Sequence, residues 1–191
     1  MLASASPRRR ELLARLCEFF TVRPSAVDET FPPGPIRDAV VQLALDKARA
    51  VAAALGSGIV LGADTVVVID GKVLGKPESP AHARRMLEKL RGRTHEVITG
   101  VAVVDAATGR AVTTSVVSRV LMAAYGDDAI DEYVRNGEPL DKAGGYAIQG
   151  LGGTLVAGLT GSYSNVVGLP LGATAELLRE MGALIRPEAG I

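Results

Sequence analysis

Apolar side chains at Val40, Leu43, Ala44, Ala48, Val51 and Leu55 recur at the spacing of one helix face. They predict a helix over residues 38–55, with Gly56 as its stop. Next to it the pattern changes: residues 58–69, GIVLGADTVVVI, are almost continuously apolar and rich in β-branched side chains, which predicts a buried strand. Asp70-Gly71 is a two-residue hairpin signal joining that strand to Lys72-Val73-Leu74. Ser6, with Pro7 behind it, predicts the start of a first helix that carries Leu12, Leu13 and Leu16 on one side. Ser79-Pro80 opens another helix that ends near Gly92, and two paired strands, His95 to Asp105 and Ala111 to Ala124, flank a turn at Thr108-Gly109. Asp127 or Asp128 caps a short helix to Arg135, and a last helix runs from Pro170 to Met181 with Gly182 behind it. Between them lie a glycine-rich stretch and one further strand. Pro24, Pro32, Pro33 and Pro35 mark an irregular loop. With no internal repeat or obvious linker, the order of elements predicts an α/β fold with a mixed sheet.

Composition narrows the function more than the fold. The 21 basic and 21 acidic residues cancel, which argues against a general nucleic-acid binder but not against a local basic pocket. Trp is absent and aromatics are few, so a base-stacking platform for single strands is not expected. The 22 glycines stand well above the usual share of about 7%, which suggests tight turns and close backbone approaches. Cys17 is the only cysteine, excluding an intrachain disulfide and a Cys-rich zinc site, and its place beside Leu12, Leu13 and Leu16 reads as core. No apolar run approaches the length of a membrane span, and the start MLASASPRRRELL lacks the apolar stretch of a secretory signal. Its Arg and Ser content fits a transit peptide, but Glu11 and the continuing leucine period favour a mature helix and a cytoplasmic protein.

Against this background several residues stand out. Asp64 interrupts the apolar strand, where a carboxylate has to be paired, hydrogen-bonded or metal-bound; the alternative is a structural Asp at a kink beside Gly62. Lys47 falls inside the apolar stripe of its helix, so it either snorkels to water or points into a pocket. Ser4, Ser6, Arg8, Arg9 and Arg10 cluster around a helix N-terminus, which suits an anion, or form a solvated basic turn. Lys76, in Gly75-Lys76-Pro77, is either a rigidly held cation or an exposed loop lysine. Asp28-Glu29 is either a solvated acidic pair or part of a metal site with Asp64, in which case magnesium's preference for oxygen ligands applies. In residues 143–153, AGGYAIQGLGG, the glycines permit close backbone approach to a ligand and Gln149 can both donate to and accept from a base edge; the alternative is a set of tight turns. His82 and His95 show no metal-ligand spacing and read as structural or surface residues. No Walker loop and no Gly-x-Ser-x-Gly elbow is present. Cations for phosphate, one or two carboxylates for a metal and a base reader together form the set that phosphoanhydride hydrolysis requires.

These residues, in this order, resemble the Maf family of nucleoside triphosphate pyrophosphatases. The likeness covers nearly the whole chain: LASASPRRRELL at 2–13, DE at 28–29, LALDKARAVA at 43–52, LGADTVVV at 61–68, GKP at 75–77, LRGRTHEVITGVAV at 90–103, DKAGGYAIQG at 141–150 and GSYSNVVGLPL at 161–171. The resemblance implies one Maf-like domain over residues 1–191, an elongated mixed α/β sheet with flanking helices and two lobes around a central cleft, commonly assembled as a homodimer. It implies cleavage between the α and β phosphates of a small-molecule nucleoside triphosphate, with Mg2+ or Mn2+; balanced charge, scarce aromatics and the lack of a long apolar run leave neither nucleic acid nor membrane as an expected partner. Asp64 falls on the family's proton acceptor, Glu29 on a metal partner beside Asp64, and Arg8, Lys47 and Lys76 on phosphate-binding cations, with Ser4 and Ser6 lining the phosphate site. The segment AGGYAIQG looks like the branch acting on dTTP and UTP, and Arg8, Thr65 and Gln149 match its positions for pyrimidine preference. A rival expectation is a nucleotide-binding regulator of cell division or septum formation, in which the nucleotide is only a switch.

Overall fold

The computed structural model describes every residue except 29, 31–33 and 187–191. Glu29, Pro32 and Pro33 therefore lie outside the described residues. The chain separates into two compact units: residues 1–64, 99–116 and 168–191 form the first, and 65–98 and 117–167 the second. Among the described residues the strands β1 (Ile59–Ile69), β2 (Lys72–Leu74), β3 (Thr94–Asp105), β4 (Ala111–Met122) and β5 (Val156–Thr160) form one sheet in the order β2-β1-β3-β4-β5. β1 with β2 and β4 with β5 pair antiparallel, and the parallel component comes from Leu2, which bridges Val22 and Leu61. With its flanking helices this is the mixed α/β architecture read from the sequence.

In the first unit, helix α1 (Pro7–Leu16) starts as expected: Ser6 caps it by accepting the Arg9 backbone N–H, and Pro7 takes the first position, where no N–H is needed. Helix α2 (Ile36–Ala52) begins two residues earlier and ends three earlier than its apolar period suggests. Pro35 fixes the start, and the last apolar position, Leu55, lies in the turn that follows. The α2 face of Ala44, Ala48, Val51 and Ala52 packs with Ala3, Val60, Ala102 and Val104. Two glycines set how closely this helix can lie. A Cβ on Gly62 would come within 2.2 Å of the Ala44 carbonyl oxygen, and one on Gly100 within 2.5 Å of that of Val40. Helix backbone thus rests directly on the strands, and that closeness governs what a side chain on α2 can reach. Cys17 departs from expectation: it terminates α1, donating its N–H to Leu13, and is only half-buried. The leucine stripe ends one residue before it.

In the second unit, Asp70 and Gly71 both take positive φ, 53° and 70°, the backbone that a two-residue hairpin turn demands. Helix α3 (Pro80–Leu90) is capped by Ser79, and Gly92 follows it at φ 67°. Helix α4 (Asp127–Arg135) is preceded by Gly126; Asp127 and Asp128 lie inside its first turn instead of capping it, where they still favour the helix dipole. The glycine-rich stretch forms 3₁₀ turns at Glu138–Asp141, Ala143–Gly145 and Gly150–Leu155. A short helix α5 (Tyr163–Val167), absent from the expectations, is held by Asn165, whose Nδ2 donates to Val97 O at 3.0 Å and Ser118 Oγ at 2.9 Å. The core of this unit joins Val67, Leu87, Leu90, Val97, Met122, Ile130, Tyr133 and Tyr146. Helix α6 (Leu171–Glu180) belongs to the first unit and ends, as read, before Gly182.

Candidate active site

Among the described residues, the first unit holds a buried pair of opposite charges. Lys47 is 5% exposed and Asp64 7%, and Nζ donates to Oδ1 at 2.8 Å. The choice left open by sequence, snorkelling or pocket, is resolved as burial. Gly62 explains how: with α2 seated on β1, a lysine side chain from the middle of the helix reaches a carboxylate two residues further along the strand. Such a pair contributes little to stability, because desolvating both ions offsets most of their attraction, and apolar replacements of the same shape are often as good. Chemistry explains it better than stability does. The lysine compensates the buried charge, and a carboxylate, with about four lone-pair sites, keeps acceptor capacity beyond this single bond.

Ser4 is brought towards the same end of the strand. Leu2 runs parallel to Leu61, so residues 4 and 64 lie onward in the same direction from that bridge. The Ser4 hydroxyl oxygen accepts the Ser6 N–H at 3.2 Å and Arg9 Nη1 at 3.3 Å, while Arg9 Nε donates to Gly168 O at 2.9 Å. With both lone pairs engaged, the Ser4 hydroxyl hydrogen is directed elsewhere, as a donor. Ser6 spends its oxygen on the cap, and Arg8 lies half-buried in the first turn of α1, where the dipole and exposed N–H groups favour an anion. Arg9, read in the sequence only as one of three arginines of a basic cluster, turns inward to Ser4 and Gly168, and nothing in that run distinguishes which arginine does so.

Thr65, Lys76 and Gln149, the remaining expected residues among those described, belong to the second unit. Thr65 follows Asp64 in β1 and is half-buried. Lys76 is exposed in the turn after β2, beside buried Pro77. That turn is tied to the glycine-rich segment, because Gly144 donates its N–H to Gly75 O at 2.9 Å. Gly144 sits at φ 72°, and a Cβ there would meet Val67 at 3.0 Å. Gln149 is half-buried, just before the last 3₁₀ turn. Three residues before it, Tyr146 is buried against His95, with the hydroxyl 2.7 Å from Nε2 and the rings edge to face at 83°. Burial lowers the His95 pKa to about 4 and pushes the Tyr146 phenol far above its usual range. A neutral imidazole that accepts from the phenol carries its hydrogen on Nδ1, which has no partner among the described residues. His95 is thus structural, one of the two readings it had. His82 is structural as well: its ring Nδ1 accepts the Glu78 N–H near the start of α3.

For a divalent metal, no group of three His, Cys, Asp or Glu is assembled among the described residues. A single buried carboxylate, Asp64, nevertheless fits the way magnesium is held, through one or two carboxylates with substrate phosphates completing the shell.

Comparison with known proteins gives this geometry a family. Residues 1–181 match the family described as Maf-like protein. The chain belongs to the Maf family. Among its Maf relatives, a protein of Moorella thermoacetica named dTTP/UTP pyrophosphatase is 57% identical over 186 residues, covering 95% of this chain and 94% of the relative. One from Anaeromyxobacter dehalogenans with the same name is 54% identical, covering 95% and 93%. Another so named, from Syntrophus aciditrophicus, is 48% identical, covering 96% and 90%. Among the described residues no helix of this Maf chain is long and apolar enough to cross a membrane.

Proposed function

We propose that this protein hydrolyses dTTP and UTP to the nucleoside monophosphate and pyrophosphate. The observation that carries the reading is the buried Lys47–Asp64 pair, in a Maf chain whose relatives at about half identity are named for that activity. In the proposed reaction a water attacks the α-phosphorus while Asp64 accepts its proton. The bond from the α-phosphorus to the bridging oxygen breaks, and pyrophosphate leaves. Lys47 compensates the charge of Asp64, and Lys76, Arg8 and the Ser4 hydroxyl bind phosphate oxygens. Thr65 and Gln149 sense the pyrimidine. A magnesium or manganese ion held by Asp64 and Glu29 would supply Lewis-acid stabilisation of the triphosphate charge. The protein acts in the cytoplasm as a homodimer in this reading.

The test is purified protein with magnesium or manganese and a panel of dTTP, UTP, CTP, modified pyrimidine and purine triphosphates, assayed separately for pyrophosphate and orthophosphate. Pyrophosphate from dTTP and UTP is the expected outcome. Orthophosphate alone would mean that another bond is cut. Tight binding without turnover would favour a nucleotide-switched regulator of cell division.

A further inference from the structure

Residues 146–149, which include Gln149, belong to no helix or strand, so side chains help to fix their path. Residues 146–149 separate two 3₁₀ turns, and two groups from outside the loop grip its flanks. Tyr133, buried on the inner face of α4, accepts the Ala147 N–H on its hydroxyl at 3.1 Å and donates to Glu138 Oε1 at 3.1 Å. The same Glu138 oxygen accepts the Gly152 N–H at 3.4 Å. The two flanks also meet: a Cβ on Gly152 would come within 2.4 Å of Ala147 O and 2.6 Å of the Tyr133 hydroxyl. The loop therefore closes on one phenol, with Gln149 between its gripped ends. Burial raises the Tyr133 pKa well above its ordinary value; the Ala147 N–H opposes this and the Glu138 carboxylate adds to it, so the hydroxyl keeps the proton it donates. Glu138 is itself placed by its backbone, whose N–H donates to Asn136 Oδ1 at 2.8 Å and whose carbonyl accepts Lys142 Nζ at 2.6 Å.

We propose that Tyr133 and Glu138 are positioning residues that set base discrimination by fixing the loop that presents Gln149. This rests on the reading of Gln149 as the group that senses the pyrimidine. A side chain that reads a base edge through one or two hydrogen bonds discriminates only if its backbone is fixed to a fraction of an ångström. The Tyr133–Glu138 clamp anchors both flanks of the loop with side-chain hydrogen bonds.

The experiment compares kcat and KM for dTTP, UTP, ATP and GTP in the wild type, Tyr133→Phe, Gln149→Ala and the double variant, with Tm recorded for each. In Tyr133→Phe the expected result is a pyrimidine-over-purine preference reduced about tenfold, through KM for the pyrimidines, with kcat for dTTP within about twofold of the wild type. The double variant should be no worse than Gln149→Ala alone, because the phenol acts through the glutamine. A purely structural phenol would lower Tm and leave the preference unchanged. If Gln149→Ala shifts the preference and Tyr133→Phe does not, or if their effects multiply, the inference is overturned. If Gln149→Ala leaves the preference intact, the base reading itself fails. Should Tyr133→Phe not fold, Glu138→Ala and Glu138→Gln decide. Loss of preference in the first, restored in the second by its amide oxygen, supports the clamp, and wild-type preference in both overturns it.

Discussion

The two units solve the problem of placing a polar group in opposite ways. In the first, Lys47 and Asp64 sit on a regular helix and a regular strand, and their meeting is set by how closely α2 rests on β1 over Gly62. In the second, Gln149 sits on a chain of tight turns whose course is decided by Tyr133, Glu138 and the buried His95–Tyr146 pair. Rigid elements fix the spacing of a buried charged pair. A turn-built loop is held by a few side-chain clamps instead of by regular backbone ladders. Under the proposed function, the contrast separates a part that serves the bond being broken from a part that serves the choice of nucleotide.

The sharpest way to break this contrast is Lys47→Met. It leaves Asp64 buried without its cation, which should cost about 3–5 kcal/mol in stability and, at temperatures where the variant folds, lower kcat by about 10²–10³ while the ranking of substrates is kept. Denaturant unfolding and steady-state kinetics on the nucleotide panel check both halves. A changed ranking with intact kcat would place this pair in recognition instead. Gly62→Ala tests the spacing directly. Its methyl group would collide with the Ala44 carbonyl, and a loss of about 3 kcal/mol is expected, with kcat falling because α2 is displaced. Unchanged kcat in a destabilised variant would show that the pair does not depend on that close approach.

A smaller effect concerns the second unit and pH. His95 is held at about 4 by burial, against about 6.5 in an unfolded chain. Between those values the unfolded chain binds a proton that the folded chain refuses. Stability therefore falls as pH drops from about 6.5 towards 4 and levels off below, a total loss of about 3 kcal/mol. Urea midpoints at pH 7, 5.5 and 4 should show this slope, and His95→Gln should flatten it. An equal slope in the variant would contradict the assignment.

Sequence revealed the local signals and missed the distant ones. The Ser6 and Ser79 caps, the Asp70-Gly71 turn and the apolar face of α2 each depend on residues within a few positions, so their physics is visible in one dimension. The same is true of Asp64 and Lys47 as misfits in apolar surroundings, although their contact across 17 positions needed the packing of α2 on β1. Cys17 looked like core because the period was extended one residue past the helix end. Tyr133 and Glu138 gave no signal at all: each is unremarkable in its own segment and gains its role only where the chain folds back over it. Helix α5 was hidden for a similar reason, being held by Ser118 and Val97 from other strands.

The most direct test of the account is Asp64→Asn, which keeps the shape and a hydrogen-bonding side chain beside Lys47 but removes the proton acceptor. Single-turnover hydrolysis of dTTP with magnesium should slow by about 10²–10³ or more while dTTP still binds. Pyrophosphate released by Asp64→Asn at the wild-type rate would contradict the account, because the chemistry would then lie elsewhere in the chain.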